Sequence, residues 1–403
     1  MGVEQSLSME HLVAAMSRVE QPIGEATGLP NEAYVSEAFA RFERDAVLAR
    51  TWVAIGSGRQ VAEPGDLQPI TLMGLPLLLA RDRAGTLRVF HNVCSHRGME
   101  LVGAPQSGQS LIRCPYHAWA YDLGGALKAT PMIGGPGAHS CPGFDKGRHG
   151  LKEVRSAVWC DTVFVDLSGA APAFEAFIAP LAERWSGFGF DQLRHGGPDS
   201  AFSIEVACNW KLAVENFCEA YHLPWIHPSL NSYSRIEDHY DIVETGAEAS
   251  RYAGQGSHAY KPSLSADGRA FPQFDGLPQG WSEAGEYIAL FPNVLYGLHA
   301  DHLFAVILLP EAVDRTTELF EIYYVGEAAL SDDYRMLREA NARQWGLVFE
   351  EDRGVVEGMQ RGRTSPGYHG GAFSPAMDGP THAFHRWMAA AAREAAEAAT
   401  AQQ

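Results

Sequence analysis

Two kinds of hydrophobic pattern follow one another along the chain. In residues 31–51, apolar side chains recur every three or four positions and acidic residues come early, which predicts a helix. From residue 52 to 168 the apolar runs are short and are separated by Gly and Pro, as in LQPITLMGLPLLLARD, which predicts a compact antiparallel β domain. Residues 1–30 show neither pattern clearly, and we expect a flexible arm there.

The rest of the chain, residues 169–403, mixes both patterns. A helix is predicted over 171–185, and a strand over 200–210 leads into another helix. Three further strands and two long helices are predicted at 286–298, 302–311, 317–326, 331–362 and 381–400. The predicted fold class is therefore α+β, with an antiparallel β domain placed within a mixed α/β domain.

Composition and charge exclude several classes of protein. Hydrophobic residues make up 46% and charged residues 20% of the 403 positions, as in ordinary globular proteins. The net charge of −18 argues against a nucleic-acid partner, because phosphates would be repelled. The most apolar run, LFAVILLP at 303–310, is too short to span a membrane, and residues 1–20 lack the features of a secretory signal. We therefore expect a cytoplasmic location and no membrane partner.

A cysteine–histidine quartet lies in the predicted β domain, within HNVCSHRGMELVGAPQSGQSLIRCPYHAWAYD. Cys94 and His96 occupy one predicted turn and Cys114 and His117 another, in the pattern C-x-H-x17-C-x2-H. Two turns that each supply one thiolate and one imidazole are typical of a Rieske [2Fe–2S] centre, in which the cysteines hold one iron and the histidines the other. A structural zinc is the alternative, although its cysteines usually share one turn and its histidines the other.

A second metal centre is suggested by the segment VENFCEAYHLPWIHP. His222 and His227 are five residues apart and would point away from each other on one continuous helix, but Pro224 interrupts the helix and a turn there would bring them together. Two histidines and one carboxylate, with open coordination positions, suit non-haem Fe(II) and O2. In FEEDRGVVEGMQRG, Asp352 is the best candidate for the carboxylate, and a solvated acidic patch is the alternative.

Taken together, these motifs resemble the α subunit of a Rieske non-haem iron oxygenase. Their order is that of the family, in the segments CSH (94–96), CPYH (114–117), NWK (209–211), EN (215–216), E-x-Y-H-x4-H (219–227) and ED-x4-E-x2-Q-x-G (351–362). The resemblance implies a Rieske domain over 52–168, inserted into a helix-grip (START-like) catalytic domain formed by 31–51 and 169–403. It also implies a [2Fe–2S] cluster on the quartet and one mononuclear Fe(II) on His222, His227 and Asp352.

The resemblance further implies a role for Glu219, three residues before His222 and hence on the same face of the predicted helix. In the family, a carboxylate here lies at the subunit contact of a trimer and bridges a Rieske histidine of one subunit to an iron-ligand histidine of the next. An ordinary surface acid is the alternative. Glu in place of the usual Asp resembles members that oxidise quaternary ammonium and N-methyl compounds.

Two asparagines complete the predicted site. Asn216 and Asn209 lie where hydrogen bonds to iron ligands are plausible, although Asn209 would serve equally as a helix cap. Several aromatic residues are candidates for a pocket wall or a cage around a cationic nitrogen, with plain core packing as the alternative; these are Trp225, Tyr233, Tyr287, Phe291, Tyr296 and Trp345.

The implied function is that of a terminal oxygenase component. It would receive electrons, originally from NAD(P)H, through a separate reductase or ferredoxin and use O2 to monooxygenate a small organic substrate. The expected outcome is oxidative N- or O-dealkylation or hydroxylation, in a homotrimer or a multiple of one. Two alternatives stay open, cis-dihydroxylation of an aromatic ring and a Rieske electron-transfer protein without catalysis.

Overall fold

The structure is a computed structural model that describes residues 9–244 and 250–401. The chain forms two compact units. The small unit is Arg50–Ala171, and the large unit is built from the segments on either side of it. The small unit thus interrupts the chain of the large one.

The small unit is made of antiparallel strands. They are β1 (Val53–Ser57), β2 (Leu67–Leu72), β3 (Leu75–Arg81), β4 (Leu87–His91), β5 (Ile112–Arg113), β6 (Ala120–Tyr121), β7 (Leu127–Ala129), β8 (Glu153–Trp159) and β9 (Thr162–Asp166). Six of them form a sheet in the order β1-β9-β8-β4-β3-β2, and β5-β6-β7 form a second sheet. Both Met73 and Gly74, which join β2 to β3, have positive φ, as the tight two-residue turn of a twisted hairpin requires.

In the part of the large unit that the structure describes there are eight α-helices and eight strands. The helices are α1 (Met9–Ala15), α2 (Glu32–Val35), α3 (Glu37–Phe42), α4 (Phe174–Arg184), α5 (Trp210–Cys218), α6 (Leu223–Ile226), α7 (Arg335–Gly362) and α8 (Gly379–Ala401). The strands are β10 (Leu193–His195), β11 (Ala201–Val206), β12 (His239–Val243), β13 (Tyr252–Ser257), β14 (Gly285–Leu290), β15 (Val294–His299), β16 (His302–Ala312) and β17 (Arg315–Val325).

These eight strands form one antiparallel sheet in the order β10-β17-β16-β15-β14-β13-β12, and β11 also pairs with β17. The predicted continuous apolar run of β16 is buried along nine of its residues, from His302 to Pro310, which explains its lack of alternation. Strand β13, with the sequence YAGQGS, was not predicted because its two glycines weaken the strand pattern. A side chain at Gly254 would lie 2.0 Å from the Tyr287 carbonyl oxygen, so this strand needs glycine for close packing.

Helix α5 packs on β13, β14 and β16, while α7 and α8 both pack on α5. The long helix α7 also contacts β11, and α8 also contacts β12 and β13. None of the helices in the described residues is long and apolar enough to cross a membrane.

Two predictions for the N-terminal part of the chain need correction. The flexible arm expected over 1–30 is folded where it is described: α1 packs on α8, and Leu12, Met16 and Val19 are buried. Residues 1–8 lie outside the described residues. The single helix expected over 31–51 is divided because Ser36 is extended and its hydroxyl caps α3 at Phe39 N.

Candidate metal centres

The two turns of the small unit that carry the quartet share one backbone design. Cys94 follows β4, its N–H donates to Met99 O (2.7 Å), and its carbonyl accepts from Gly98 N (3.0 Å). Cys114 follows β5, its N–H donates to Trp119 O (2.8 Å), and its carbonyl accepts from Ala118 N (3.1 Å). In both turns the residue four positions after the cysteine has positive φ, which aims the intervening histidine away from the strands.

The four side chains divide into a buried and an exposed pair. Each thiol is 2% exposed within the core of the small unit, and burial raises the pKa of the Cys114 thiol. His96 and His117 are exposed, with ring centroids 4.8 Å apart.

The donor set of the quartet suits a cluster of two irons. Each turn supplies one buried cysteine and one exposed imidazole, whereas a structural zinc usually takes its cysteines from one turn and its histidines from the other. The donor set therefore fits a [2Fe–2S] cluster with thiolates on the inner iron and imidazoles on the outer one.

Tyr121 contacts Cys94, one of the two buried cysteines, and the sequence analysis did not predict this contact. Its hydroxyl lies 3.2 Å from Cys94 Sγ and accepts from Ser95 N at 3.1 Å. The Ser95 hydroxyl donates to His149 O (2.7 Å), so Tyr121 is the donor in its 2.9 Å contact with Ser95 Oγ, and the Tyr121 proton is shared between Ser95 Oγ and Cys94 Sγ. Burial, followed by the Cys94 contact, raises the pKa of Tyr121 to about 12, so it stays a donor.

The second centre forms where α5 ends. The prediction that Glu219 and His222 share a helical face is wrong, because α5 stops at Cys218 and Glu219 is extended. The Glu219 carboxylate bonds instead to the backbone N–H of Tyr221 and of His222 (3.2 Å to the latter), which stabilises the turn. Pro224 lies in the first turn of α6, so it starts a short helix between the two histidines.

Through this turn His222 and His227 approach each other, with ring centroids 5.1 Å apart. Asp352 on α7 completes the group: its Oδ1 lies 3.0 Å from His227 Nε2 and 3.7 Å from His222 Nε2. All three donor atoms lie within 4.8 Å of one another. Asp352 Oδ1 is buried and accepts no hydrogen bond from the described residues, so the three groups fit a cation placed among them.

Each histidine is oriented by a second carboxylate. Glu219 Oε1 lies 2.6 Å from His222 Nδ1, and Glu351 Oε2 lies 2.7 Å from His227 Nδ1. With the proton held on Nδ1, each Nε2 presents a lone pair to the centre. Burial opposes charge on His227, but Asp352 and then Glu351 raise its pKa. The ligand role of neighbouring Asp352 was predicted, whereas the role of Glu351 was missed because the two acids are adjacent and spacing alone does not separate them.

A partly open cavity lies at this centre. Its walls are largely apolar and aromatic, and it is lined by Asn216, Phe217, His222, Leu223, His227, Leu230, His239, Gln255, Tyr287, Trp345, Val348, Phe349 and Asp352. Of the aromatic residues predicted for a pocket, Tyr287 and Trp345 lie there. Trp225 is instead 70% exposed, and Phe291 packs on Phe384 of α8.

The two asparagines have different surroundings. Asn216 lines the cavity, and the hydrogen bond predicted between it and an iron ligand stays a prediction. The site role predicted for Asn209 is not supported, because its side chain caps α5 by accepting from Lys211 N (3.2 Å) and donates to Val313 O (2.8 Å). Its amide is thus used within the fold, and the helix-cap alternative applies.

Glu215, the glutamate of the EN motif, forms a hydrogen bond and ion pairs within the fold. Glu215 is buried, accepts from Tyr34 OH, and lies 3.2 Å from Arg363 Nη2 and 3.1 Å from His385 Nε2. Burial opposes its charge, but His385 and Arg363 outweigh burial and lower the pKa of Glu215 to about 2. The network ties α5 to the ends of α7 and α8.

Comparison with known families matches residues 192–394 to the ring hydroxylating alpha subunit (catalytic domain) and residues 51–140 to the Rieske [2Fe-2S] domain. The carnitine monooxygenase oxygenase subunit of Acinetobacter pittii is 25% identical over 351 residues, covering 85% of this chain and 86% of that protein. The chloroplastic choline monooxygenase of Arabidopsis thaliana is 28% identical over 374 residues, covering 90% of this chain and 82% of that protein.

Among solved structures, the quaternary ammonium Rieske monooxygenase CntA is similar with a TM-score of 0.74 at 22% identity, covering 94% of this chain and 98% of that chain. At this identity the likeness concerns the fold alone. The predicted fold class, a Rieske domain together with the catalytic domain of this fold, is confirmed.

Proposed function

The chain belongs to the ring hydroxylating alpha subunits, and from its likeness to carnitine and choline monooxygenases we propose that it monooxygenates a small quaternary ammonium or N-methylated amine. It is the terminal oxygenase of a Rieske system, with one [2Fe–2S] cluster, one mononuclear iron, O2 as co-substrate and electrons from a partner reductase. Because the catalytic domain is present, the alternative of a Rieske electron-transfer protein alone is set aside.

The convergence of His222, His227 and Asp352 on one point carries the assignment of the iron site. Two neutral imidazoles and a carboxylate oxygen without a hydrogen bond leave open coordination positions toward the cavity. Iron bound there supplies the O2 chemistry, and the protein orients the ligands through Glu219 and Glu351. Cys94, His96, Cys114 and His117 would hold the cluster.

Iron analysis tests this assignment. We expect about three irons and two acid-labile sulfides per chain in the wild type. Asp352→Ala should lose about one iron and keep both sulfides, because only the mononuclear site is affected. Glu350→Ala is the matched control, since Glu350 pairs with Arg353 at the surface (2.8 Å) and should leave the metals in place. An Asp352→Ala protein that retains all its iron would refute the ligand set.

Monooxygenation fits the names of the relatives, which act on carnitine and choline. One oxygen atom enters a C–H bond, and the other leaves as water with two electrons and two protons. When the attacked carbon is bonded to nitrogen, the hemiaminal product breaks down to an aldehyde and a dealkylated amine. Labelling with 18O2 separates this from cis-dihydroxylation, which would give a stable diol carrying both labelled atoms.

Electron transfer between subunits of a homotrimer is part of the proposal. The imidazoles of the quartet are exposed, and Glu219 holds His222 beside an exposed aromatic pair, Tyr221 (46%) and Trp225 (70%), which suits a subunit interface. Mixed oligomers provide the test: Cys114→Ser subunits lacking the cluster and Asp352→Ala subunits lacking the iron are each inactive alone. Activity should return when the two are co-assembled, and absence of any recovery in verified mixed oligomers would contradict transfer between subunits.

A further inference from the structure

The polar groups that line the cavity differ in whether they are free to bind a ligand. Gln255 Nε2 donates to Glu219 O at 2.9 Å, so Gln255 Oε1 faces His239 and accepts from His239 Nδ1 at 2.6 Å. His239 Nε2 in turn lies 3.0 Å from Ser234 Oγ. His239 therefore uses both ring nitrogens within the protein wall, and Gln255 uses its oxygen and one of its two N–H donors there.

Two cavity-lining groups remain free. The Tyr287 hydroxyl is buried and makes no hydrogen bond of ordinary geometry among the described residues. Ser234 is close enough to interact with it, but the Ser234 hydroxyl already contacts His239 Nε2 (3.0 Å) and Ser257 Oγ (3.1 Å). The Asn216 amide also has no partner in the described part of the chain, and it lies at the cavity surface. An unpaired buried phenol is costly, so a ligand that bonds to it gains affinity.

The charges of the residues that line the cavity also limit which substrates can bind. Among the described residues that line the cavity, none is Lys or Arg, so a substrate carboxylate would be buried there without a counter-ion. A cationic nitrogen, in contrast, would meet the rings of Phe217, Tyr287 and Trp345, whose faces attract cations.

Building on the proposed function, we infer that the cavity takes a small amine whose other polar group is uncharged, and that Tyr287 hydrogen-bonds to that group. A hydroxylated quaternary amine such as choline has this chemistry. Carnitine and glycine betaine, which carry carboxylates, do not. Tyr287 and the missing cationic side chain thus set specificity within the amine class.

Calorimetric titration of the intact, metal-loaded protein tests whether the cavity excludes amines that carry a carboxylate. We expect carnitine and glycine betaine to bind at least about a hundredfold more weakly than choline, because their carboxylates lose water without gaining a partner. If carnitine binds as tightly as choline and is turned over, the inference is wrong while the proposed function stands. If no quaternary amine binds or is turned over, the proposed substrate class itself fails.

A binding cycle tests the role of Tyr287. The wild type should bind choline about fivefold more tightly than ethyltrimethylammonium, which lacks the hydroxyl, and Tyr287→Phe should reduce this ratio to about one. Tyr260→Phe is the matched control: its phenol already accepts from Gln344 Nε2 (2.9 Å) and does not line the cavity, so the ratio should persist. An unchanged ratio in folded Tyr287→Phe would overturn the assignment, since a purely structural role would weaken both ligands alike.

Discussion

Replacing Tyr121 with Phe should lower the reduction potential of the cluster. The Tyr121 hydroxyl lies 3.2 Å from Cys94 Sγ and 2.9 Å from Ser95 Oγ, and because a thiolate that holds a cluster can only accept, Tyr121 is the donor to that sulfur. Reduction adds negative charge to the cluster, so a donor to a cluster thiolate stabilises the reduced state more than the oxidised state.

The size of the effect follows from the energy of such a bond. A hydrogen bond to a charged group is worth roughly 1.5–3 kcal/mol, and we take the difference between the two redox states as about 1 kcal/mol. For a one-electron couple this corresponds to about 45 mV, since a tenfold change in equilibrium constant is about 59 mV. Tyr121→Phe should therefore shift the potential downward by about 45 mV.

Redox titration of the holoprotein, followed by its visible absorbance, measures this shift. Tyr116→Phe is the matched control, because Tyr116 is 58% exposed and belongs to the same turn as the ligand His117. Iron and sulfide must be equal in all three proteins. A Tyr121→Phe potential within about 10 mV of the wild type, or above it, would refute the reasoning.

Three further changes have defined outcomes. Glu351→Ala should weaken iron binding about 10- to 100-fold, measured by chelator competition with Glu350→Ala as the control, because His227 loses the acceptor that orients it; equal iron retention in both variants would contradict this. Glu219→Ala, compared with the wild type after both are reconstituted to three irons per chain, should lose most turnover with reductase, and near wild-type turnover would remove Glu219 from the electron path. The pKa of Glu215 is depressed from 4.5 to about 2, so its contribution to stability, about 3 kcal/mol, is full above its unfolded pKa and is lost as pH falls toward 2. Denaturant unfolding should accordingly show a steeper loss of stability below pH 4.5 in the wild type than in Glu215→Gln, and parallel curves would exclude this linkage.

Much of the candidate chemistry could be predicted from local sequence. The alternation of Cys and His within two short turns specifies the donor set of a Rieske centre, since each ligand pair is held by a few neighbouring residues. The spacing of His222 and His227 around Pro224 likewise predicted convergence, although the helix ends earlier than expected because Glu219 caps the following turn.

Other features depended on contacts between distant segments. Residues 350–352 are three consecutive acids that point in different directions around α7. Spacing alone did not distinguish a ligand role of Asp352 from a solvated acidic patch, and the resemblance to a family selected the ligand role. The packing of α7 on α5 turns Asp352 to the centre and Glu351 to His227 Nδ1, while Glu350 stays at the surface with Arg353.

The folded N-terminal segment, strand β13 and the contact of Tyr121 with Cys94 have the same origin. Each depends on partners that are remote in sequence. Helix α8 packs on the N-terminal segment, in which Met16 and Val19 are buried. The Tyr287 carbonyl lies too close to Gly254 for any side chain there, and β6 places Tyr121 next to Cys94 in the turn after β4. The sequence by itself predicted the cysteine–histidine quartet and the pairing of His222 with His227, because short turns bring those residues together. Tertiary structure alone decided which groups orient the ligands and which cavity groups stay free, because these depend on the rotation and packing of whole elements.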